Sequence, residues 1–177
     1  GLQEEIAAMH GASAVQADGQ NFPAYNQIRY IDEKGQEIVN LKDGKFTTDL
    51  KSKAAETWFQ KTLQLSQGSI YNSGAVIAAN TGTPEMRIAA PVFAGGSARG
   101  VVVLNMNWDL AWKLIQNRVY GKTGYSYIVN EQGILVSHPK YNLTQPMNLC
   151  DPKNGELAKI VKEQMITGQE GRGSYTF

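Results

Sequence analysis

Cysteine is almost absent from this sequence. Cys150 is the single thiol among 177 residues, so no disulfide can close within the chain, and neither a Cys-rich zinc site nor a paired haem attachment can be assembled. Histidine is nearly as scarce. His10 and His138 stand in unrelated contexts, which leaves a histidine metal site or a Ser-His-Asp relay without its parts. There is no signal peptide and no run of about eighteen apolar residues, so nothing here reads as a membrane span, and the spans of any membrane protein would lie outside this sequence. Charge of one sign is also lacking: 17 Lys and Arg face 16 Asp and Glu, for a net +1. Their scatter forms no basic stripe of the kind that tracks phosphates, which speaks against a nucleic-acid partner. The carboxylates are dispersed too, and spacing nominates no acid–base pair. The sequence therefore names no catalytic residue, no metal ligand and no cofactor.

What is present is globular material: 42% hydrophobic and 19% charged residues, enough for one or two cores. Leu2, Ile6 and Met9 have helical spacing, and a small-polar loop is expected from His10-Gly11 to about Pro23. Tyr25 to Asp32 alternates as a strand, Asp32-Glu33-Lys34-Gly35 is a turn, and Gln36 to Leu41 returns as the second arm. Asp43 to Lys53 reads as loop, and Ala54 to Leu65 as a short helix ended by Gly68. Ser69 to Ser73 reads as a strand, and Gly74 to Pro84 as a small-residue loop free to fold over a pocket.

Arg87 to Asn107 reads as two apolar strands folded back across Gly95-Gly96, with Arg87 and Asn105 inside the arms where strand propensity has little use for them. If Asn105 faces a ligand, Val103 and Val101 share its face, while Leu104, Met106 and Val102 face away. Arg87 and small Ala89 then share the ligand face on the partner arm. Arg87 offers a fork of donors suited to a carboxylate; the alternative is that it pairs with Glu85 or another acid.

An amphipathic helix is expected over Asn107 to Arg118. Beyond it, Tyr125 to Asn130, the turn Glu131-Gln132-Gly133 and Ile134 to His138 repeat the plan of Gln27 to Leu41. This echo suggests a second module starting near Gly121. Asn154 to Ile166 reads as a helix and Gly171 to Phe177 as a third strand with no later partner, as in a fragment. Tyr120-Gly121-Lys122-Thr123 is no phosphate loop, because the earlier glycine of such a loop would fall at Gln116. His138, in Ser137-His138-Pro139, reads as a strand end bonded to backbone. Asn142-Leu143-Thr144 fits a glycosylation sequon, a pattern common by chance.

Five pieces in register carry a resemblance: Gln27 to Val39, the Trp58-Phe59 helix, Gly68-Ser69-Ile70-Tyr71, Arg87 to Asn105, and Gly121 to Gly133 with Ser137-His138-Pro139. Together they resemble a double Cache domain, the extracytoplasmic sensor of bacterial and archaeal chemoreceptors, sensor histidine kinases and cyclic-dinucleotide enzymes. The resemblance implies an α+β fold with PAS-like antiparallel sheets flanked by helices. Residues 1–118 would be a membrane-distal, ligand-binding module without its long N-terminal helix, and residues 119–177 a partial membrane-proximal one. It also implies anchoring through transmembrane helices outside this sequence, and it allows a homodimer.

The resemblance further implies ligand contacts at Trp58, Phe59, Tyr71, Ser73, Arg87 and Asn105, with Glu56 nearby. Relatives that bind amino acids have an Arg where this chain has Glu56, an Asp where it has Asn105, and an acid near the Tyr where it has Ser73. Both the carboxylate clamp and the ammonium acceptor are altered. The expected function is non-enzymatic: a small polar or anionic ligand closes the Gly74 to Pro84 loop over the distal sheet and biases the transmembrane helices, for which coupling of about 1–3 kcal/mol suffices. An enzyme on a PAS-like scaffold and a structural interaction module without a small ligand are the competing readings.

Overall fold

The computed structural model describes residues 1–78, 82–116, 118, 120–141, 143 and 146–176. By contacts the chain forms two compact units, Gly1–Ser73 with Met86–Ala111, and Gly74–Glu85 with Trp112–Phe177.

In the first unit, α1 (Leu2–Ala12) precedes a hairpin of β1 (Ala14–Ala17) and β2 (Gln20–Pro23). This hairpin replaces the expected small-polar loop. Its turn is Asp18-Gly19, both at positive φ (50° and 74°), the two-residue geometry whose twist matches that of paired strands. Next come β3 (Tyr25–Asp32), β4 (Glu37–Lys42) and the two-residue β5 (Lys45–Phe46), the last inside the segment expected to be loop. The Asp32 carboxylate accepts from the backbone N–H of Lys34 (3.0 Å) and Gln36 (2.8 Å), closing the β3–β4 turn. Helix α2 is shorter than its propensities suggested, Thr57–Leu63. It is followed by β6 (Tyr71–Ile77), β7 (Pro84–Ala94), β8 (Ser97–Met106) and α3 (Trp108–Gln116), of which residues 74–85 and 112–116 group with the second unit. Asn107 caps α3, its Oδ1 accepting from Leu110 N (3.3 Å) while its Nδ2 donates to the Pro23 carbonyl (3.0 Å).

These strands form an antiparallel sheet in the order β5-β4-β3-β8-β7-β6. One face carries Ile31, Ala89, Val101 and Val103 against Trp58 and Phe59 of α2; the other carries Ile28, Val39 and Leu41 against Ile6 of α1. The expected alternation of β8 holds, with Val101 and Val103 on the α2 face and Leu104 packed on the α1 side. The stretch expected as a loop over 74–84 is narrower, because Gly74–Ile77 continue β6 and Pro84 already belongs to β7. Its residues 79–81 lie outside the described residues.

A register shift between Tyr30 and Ile31 sets Tyr30 opposite Val39 but Ile31 opposite Glu37. The extra residue, Ile38, bulges outward and is 44% exposed. Plain alternation would put Glu37 with Val39 and Leu41 on the α1 face; the bulge transfers it to the α2 face, beside Arg29.

In the second unit, β9 (Ile128–Val129), β10 (Ile134–Ser137) and β11 (Met147–Asn148) form a small sheet in the order β11-β10-β9. The β9–β10 turn repeats the device of β3–β4: Asn130 Oδ1 accepts from the N–H of Gln132 (3.0 Å) and Ile134 (2.9 Å). Gly35 and Gly133 take matching positive φ, 85° and 78°. The echo heard in the sequence is thus a real local likeness, although β9 is much shorter than Tyr125 to Asn130. The helix expected over Asn154 to Ile166 is composite, a 3-10 turn (Pro152–Asn154), α4 (Gly155–Ile160) and a π turn (Val161–Met165). Leu135, Leu149, Leu157 and Val161 form the core.

Residues 171–176 are exposed and take no strand, which corrects the expected third strand: no neighbouring edge supplies ladder bonds. Phe177 lies outside the described residues, as do Asn142 and Thr144 of the sequon. No helix among the described residues is long and apolar enough to cross a membrane.

Candidate functional site

The α2 face of the first unit gathers most of the residues nominated from sequence. Trp58 and Phe59 sit in the first turn of α2 with their rings edge to face, 6.2 Å apart at 86°. Both are buried in the cluster with Ala89, Val101 and Val103, and Tyr71 packs against it. Ala89 is buried in the same cluster as this aromatic pair.

Arg87 and Asn105 are directly opposite each other on β7 and β8. The Arg87 guanidinium lies 4.5 Å from the centre of the Trp58 ring, within the range in which a cation is attracted to an indole face. Ser73, on β6, uses its Oγ to accept the Arg87 backbone N–H at 2.8 Å. Glu56 is not drawn in: it is exposed at the N-cap of α2 and makes no side-chain cap bond.

The sequence reading missed the polar residues that hold this face. Arg29, only 5% exposed, lies 5.7 Å from the Trp58 ring centre. Its Nη1 donates to Glu37 Oε1 (3.3 Å) and its Nη2 to Asn105 Oδ1 (2.8 Å). Glu37 Oε2 also accepts from Asn40 Nδ2 (3.3 Å) and Lys51 N (3.0 Å), and Asn40 Oδ1 accepts from Gln27 Nε2 (2.9 Å). An ion pair buried this deeply needs such further bonds to offset desolvation. One signal was available: Arg29 and Asn40 are cross-strand partners in a hairpin the sequence already showed. Glu37 was hidden, because its face depends on the bulge.

Two guanidinium groups therefore approach one indole ring from a sheet face that also presents an amide. Such a surface can recognise an acceptor-rich ligand through fork-shaped donors and stack an apolar portion on the aromatic pair.

The second unit has its own aromatic cluster. His138 contacts Tyr125, Tyr127 and Tyr141, at ring separations of 5.0, 5.9 and 4.3 Å. Its Nδ1 accepts from Lys140 N at 3.0 Å, the backbone bond expected for it. Burial, with Lys140 adding to it, lowers the His138 pKa below the ordinary 6.5. Burial, reinforced by Tyr175 and Tyr125, pushes Tyr127 up to about 12. Among the described residues no group of three His, Cys, Asp or Glu could hold a metal ion.

Similarity to known proteins fits this geometry. The first sensory-domain structure it resembles is from a Vibrio parahaemolyticus protein assigned to the sensory box/GGDEF family, with TM-score 0.63 and 23% identity over 80% of this chain and 60% of that one. The extracellular domain of a protein described as a histidine kinase gives TM-score 0.63 and 22% identity, over 80% of this chain and 57% of that one. The ligand-binding domain of the Pseudomonas fluorescens chemoreceptor CtaA, solved with L-serine, gives TM-score 0.53 and 19% identity over 75% of this chain and 56% of that one. The chain thus spans about 60% or less of these domains. At such identities the likeness establishes the fold. No curated protein matches the chain. The family model for the Cache domain, in its dCache_1 form, matches residues 2–176. Since that match runs through nearly every residue of both units, the chain belongs to the Cache domain family.

Proposed function

We propose that this chain is the extracytoplasmic ligand-sensing part of a transmembrane signal-transduction receptor, and that it binds a small polar or anionic molecule on the α2 face of the first unit. The observation that carries this reading is the convergence of Arg29 and Arg87 on Trp58, at 5.7 and 4.5 Å, over the sheet face that carries Ala89. Arg29 is committed to Glu37 and Asn105, so it acts as a positioning residue. Arg87 supplies the fork for the ligand, Trp58 and Phe59 the stacking surface, and Tyr71, Ser73 and Asn105 the flanking contacts. Residues 1–118 would serve as the membrane-distal module and 119–177 as part of the proximal one, anchored by helices outside this sequence. Ligand binding would bias the arrangement of the sheet, and through it the output domain.

The test is a screen of small acids and polar metabolites by thermal shift on the purified chain. A ligand found this way should lose its stabilisation in Arg87→Ala and Trp58→Phe while both variants melt cooperatively. Phenylalanine at 58 keeps most of the core volume, whereas alanine there would cost about 3–5 kcal/mol in packing alone. Unchanged binding in both variants overturns the site.

A further inference from the structure

We infer that the second unit holds a ligand site of its own, centred on His138, and that it takes small aromatic carboxylic acids. The site is independent of the Trp58 face. It is a pocket with an apolar floor and an aromatic rim: Leu135, Leu149 and Leu157 are buried in its wall, whereas Tyr125, Tyr141, Met147 and Tyr175 line it and are exposed, which marks the side on which it opens. The enclosed part measures only about 20 Å³, the room of one water. A ring therefore enters from the rim. Tyr175 is the side chain placed to yield, because it sits on the stretch 171–176 that takes no ladder bonds and is held there by its hydrogen bond with Tyr127.

The head group follows from the polar atoms. His138 Nδ1 accepts the Lys140 N–H, so the neutral ring carries its proton on Nε2. That N–H meets no acceptor among the described residues. The Lys140 ammonium lies 4.6 Å from the centre of the Tyr125 ring, and among the described residues no carboxylate pairs with it. Among the described residues that line the pocket none is acidic. One neutral donor and one cation thus stand at an aromatic wall without an anion to balance them. A carboxylate satisfies both. An ammonium would meet like charge, and Lys140 already takes the place of a cation on the Tyr125 face. The rings choose the body of the ligand, since His138 meets Tyr125 at 78° and Tyr141 at 30°, and aromatic neighbours in such arrangements add to plain area burial.

The experiment titrates the purified chain with benzoate, benzyl alcohol and benzylamine, which share a ring and differ in head-group charge, and with acetate, which keeps the head and drops the ring. Calorimetry gives the affinities, and the NMR signals of the His138 ring report the site. The inference expects benzoate to move those signals and to raise the His138 titration midpoint, because an adjacent anion favours the imidazolium. Benzoate should also bind at least about ten-fold tighter than benzylamine or acetate, the scale of one charge-assisted hydrogen bond. Tyr141→Ala, which removes an exposed ring, should weaken benzoate several-fold, and Lys140→Gln should narrow the gap between benzoate and benzyl alcohol. Benzylamine or acetate binding as tightly as benzoate overturns the inference, as does benzoate binding that leaves the His138 signals and midpoint unmoved. Failure of benzoate to bind overturns it too, and leaves the reading of the Trp58 face standing.

Discussion

Replacing Glu37 by glutamine keeps its shape and removes its charge, which isolates what the buried ion pair contributes. Arg29 and Glu37 are 6% and 2% exposed, and Arg29 Nη1 lies 3.3 Å from Glu37 Oε1. Removing one partner of such a pair costs about 3–5 kcal/mol, because the other charge is left buried without compensation. Two features place the expected loss at the lower end. Arg29 keeps its 2.8 Å bond to Asn105, and a glutamine oxygen can still accept one of the three hydrogen bonds Glu37 receives. Glu37→Gln should therefore cost about 3 kcal/mol, which in a chain of this size is a fall of roughly 6–12 °C in melting temperature. Urea unfolding followed by circular dichroism measures it. The double variant Arg29→Met with Glu37→Leu should lose much less than Glu37→Gln, since no charge is left stranded. A loss below about 1 kcal/mol for Glu37→Gln, the scale of an ordinary exposed pair, would refute the reasoning and mean that water reaches Arg29.

Two further outcomes are expected. Because the folded His138 pKa lies below the ordinary 6.5, the unfolded chain binds more protons in acid; the stability tied to this group is intact above pH 6.5 and is lost as pH falls through the lower folded value. His138→Gln should flatten the dependence of melting temperature on pH between about 7.5 and 5, and an NMR titration should give His138 a midpoint below 6.5. Gly35→Ala should cost at least about 2 kcal/mol by urea midpoint, since φ is 85° and an added Cβ would stand 2.5 Å from Ala54 Cα. Gly96→Ala, at φ 78° with no atom within 4 Å of the added carbon, should cost only the backbone strain, about 1 kcal/mol. Equal losses in the two glycine variants would mean that contact with Ala54 does not matter.

Much of the sheet was legible because its signals are local. Turn residues and apolar alternation set the β3–β4 and β7–β8 hairpins, and the Asp32 and Asn130 turns carry their own hydrogen-bond acceptors. The β1–β2 hairpin was equally available in Asp18-Gly19, but its arms are polar and mostly exposed, so no hydrophobic pattern drew attention to the turn. Strand β6 reached beyond Ser73 to Ile77 because a neighbouring strand edge supplied ladder bonds that small residues alone do not advertise.

By itself the sequence determined the class of fold, the pairing of Arg87 with Asn105 across one hairpin, and the aromatic pair at Trp58 and Phe59, since each follows from spacing along a single strand or helix. Only the tertiary structure decided what those polar residues do. A one-residue bulge at Ile38 carries Glu37 to the other face of the sheet, where it neutralises Arg29; Arg29 in turn donates to Asn105 Oδ1, which fixes how that amide is oriented. These contacts join residues 8 and 76 positions apart in the chain. No local periodicity encodes them, because a change of one in strand register reverses every side chain that follows.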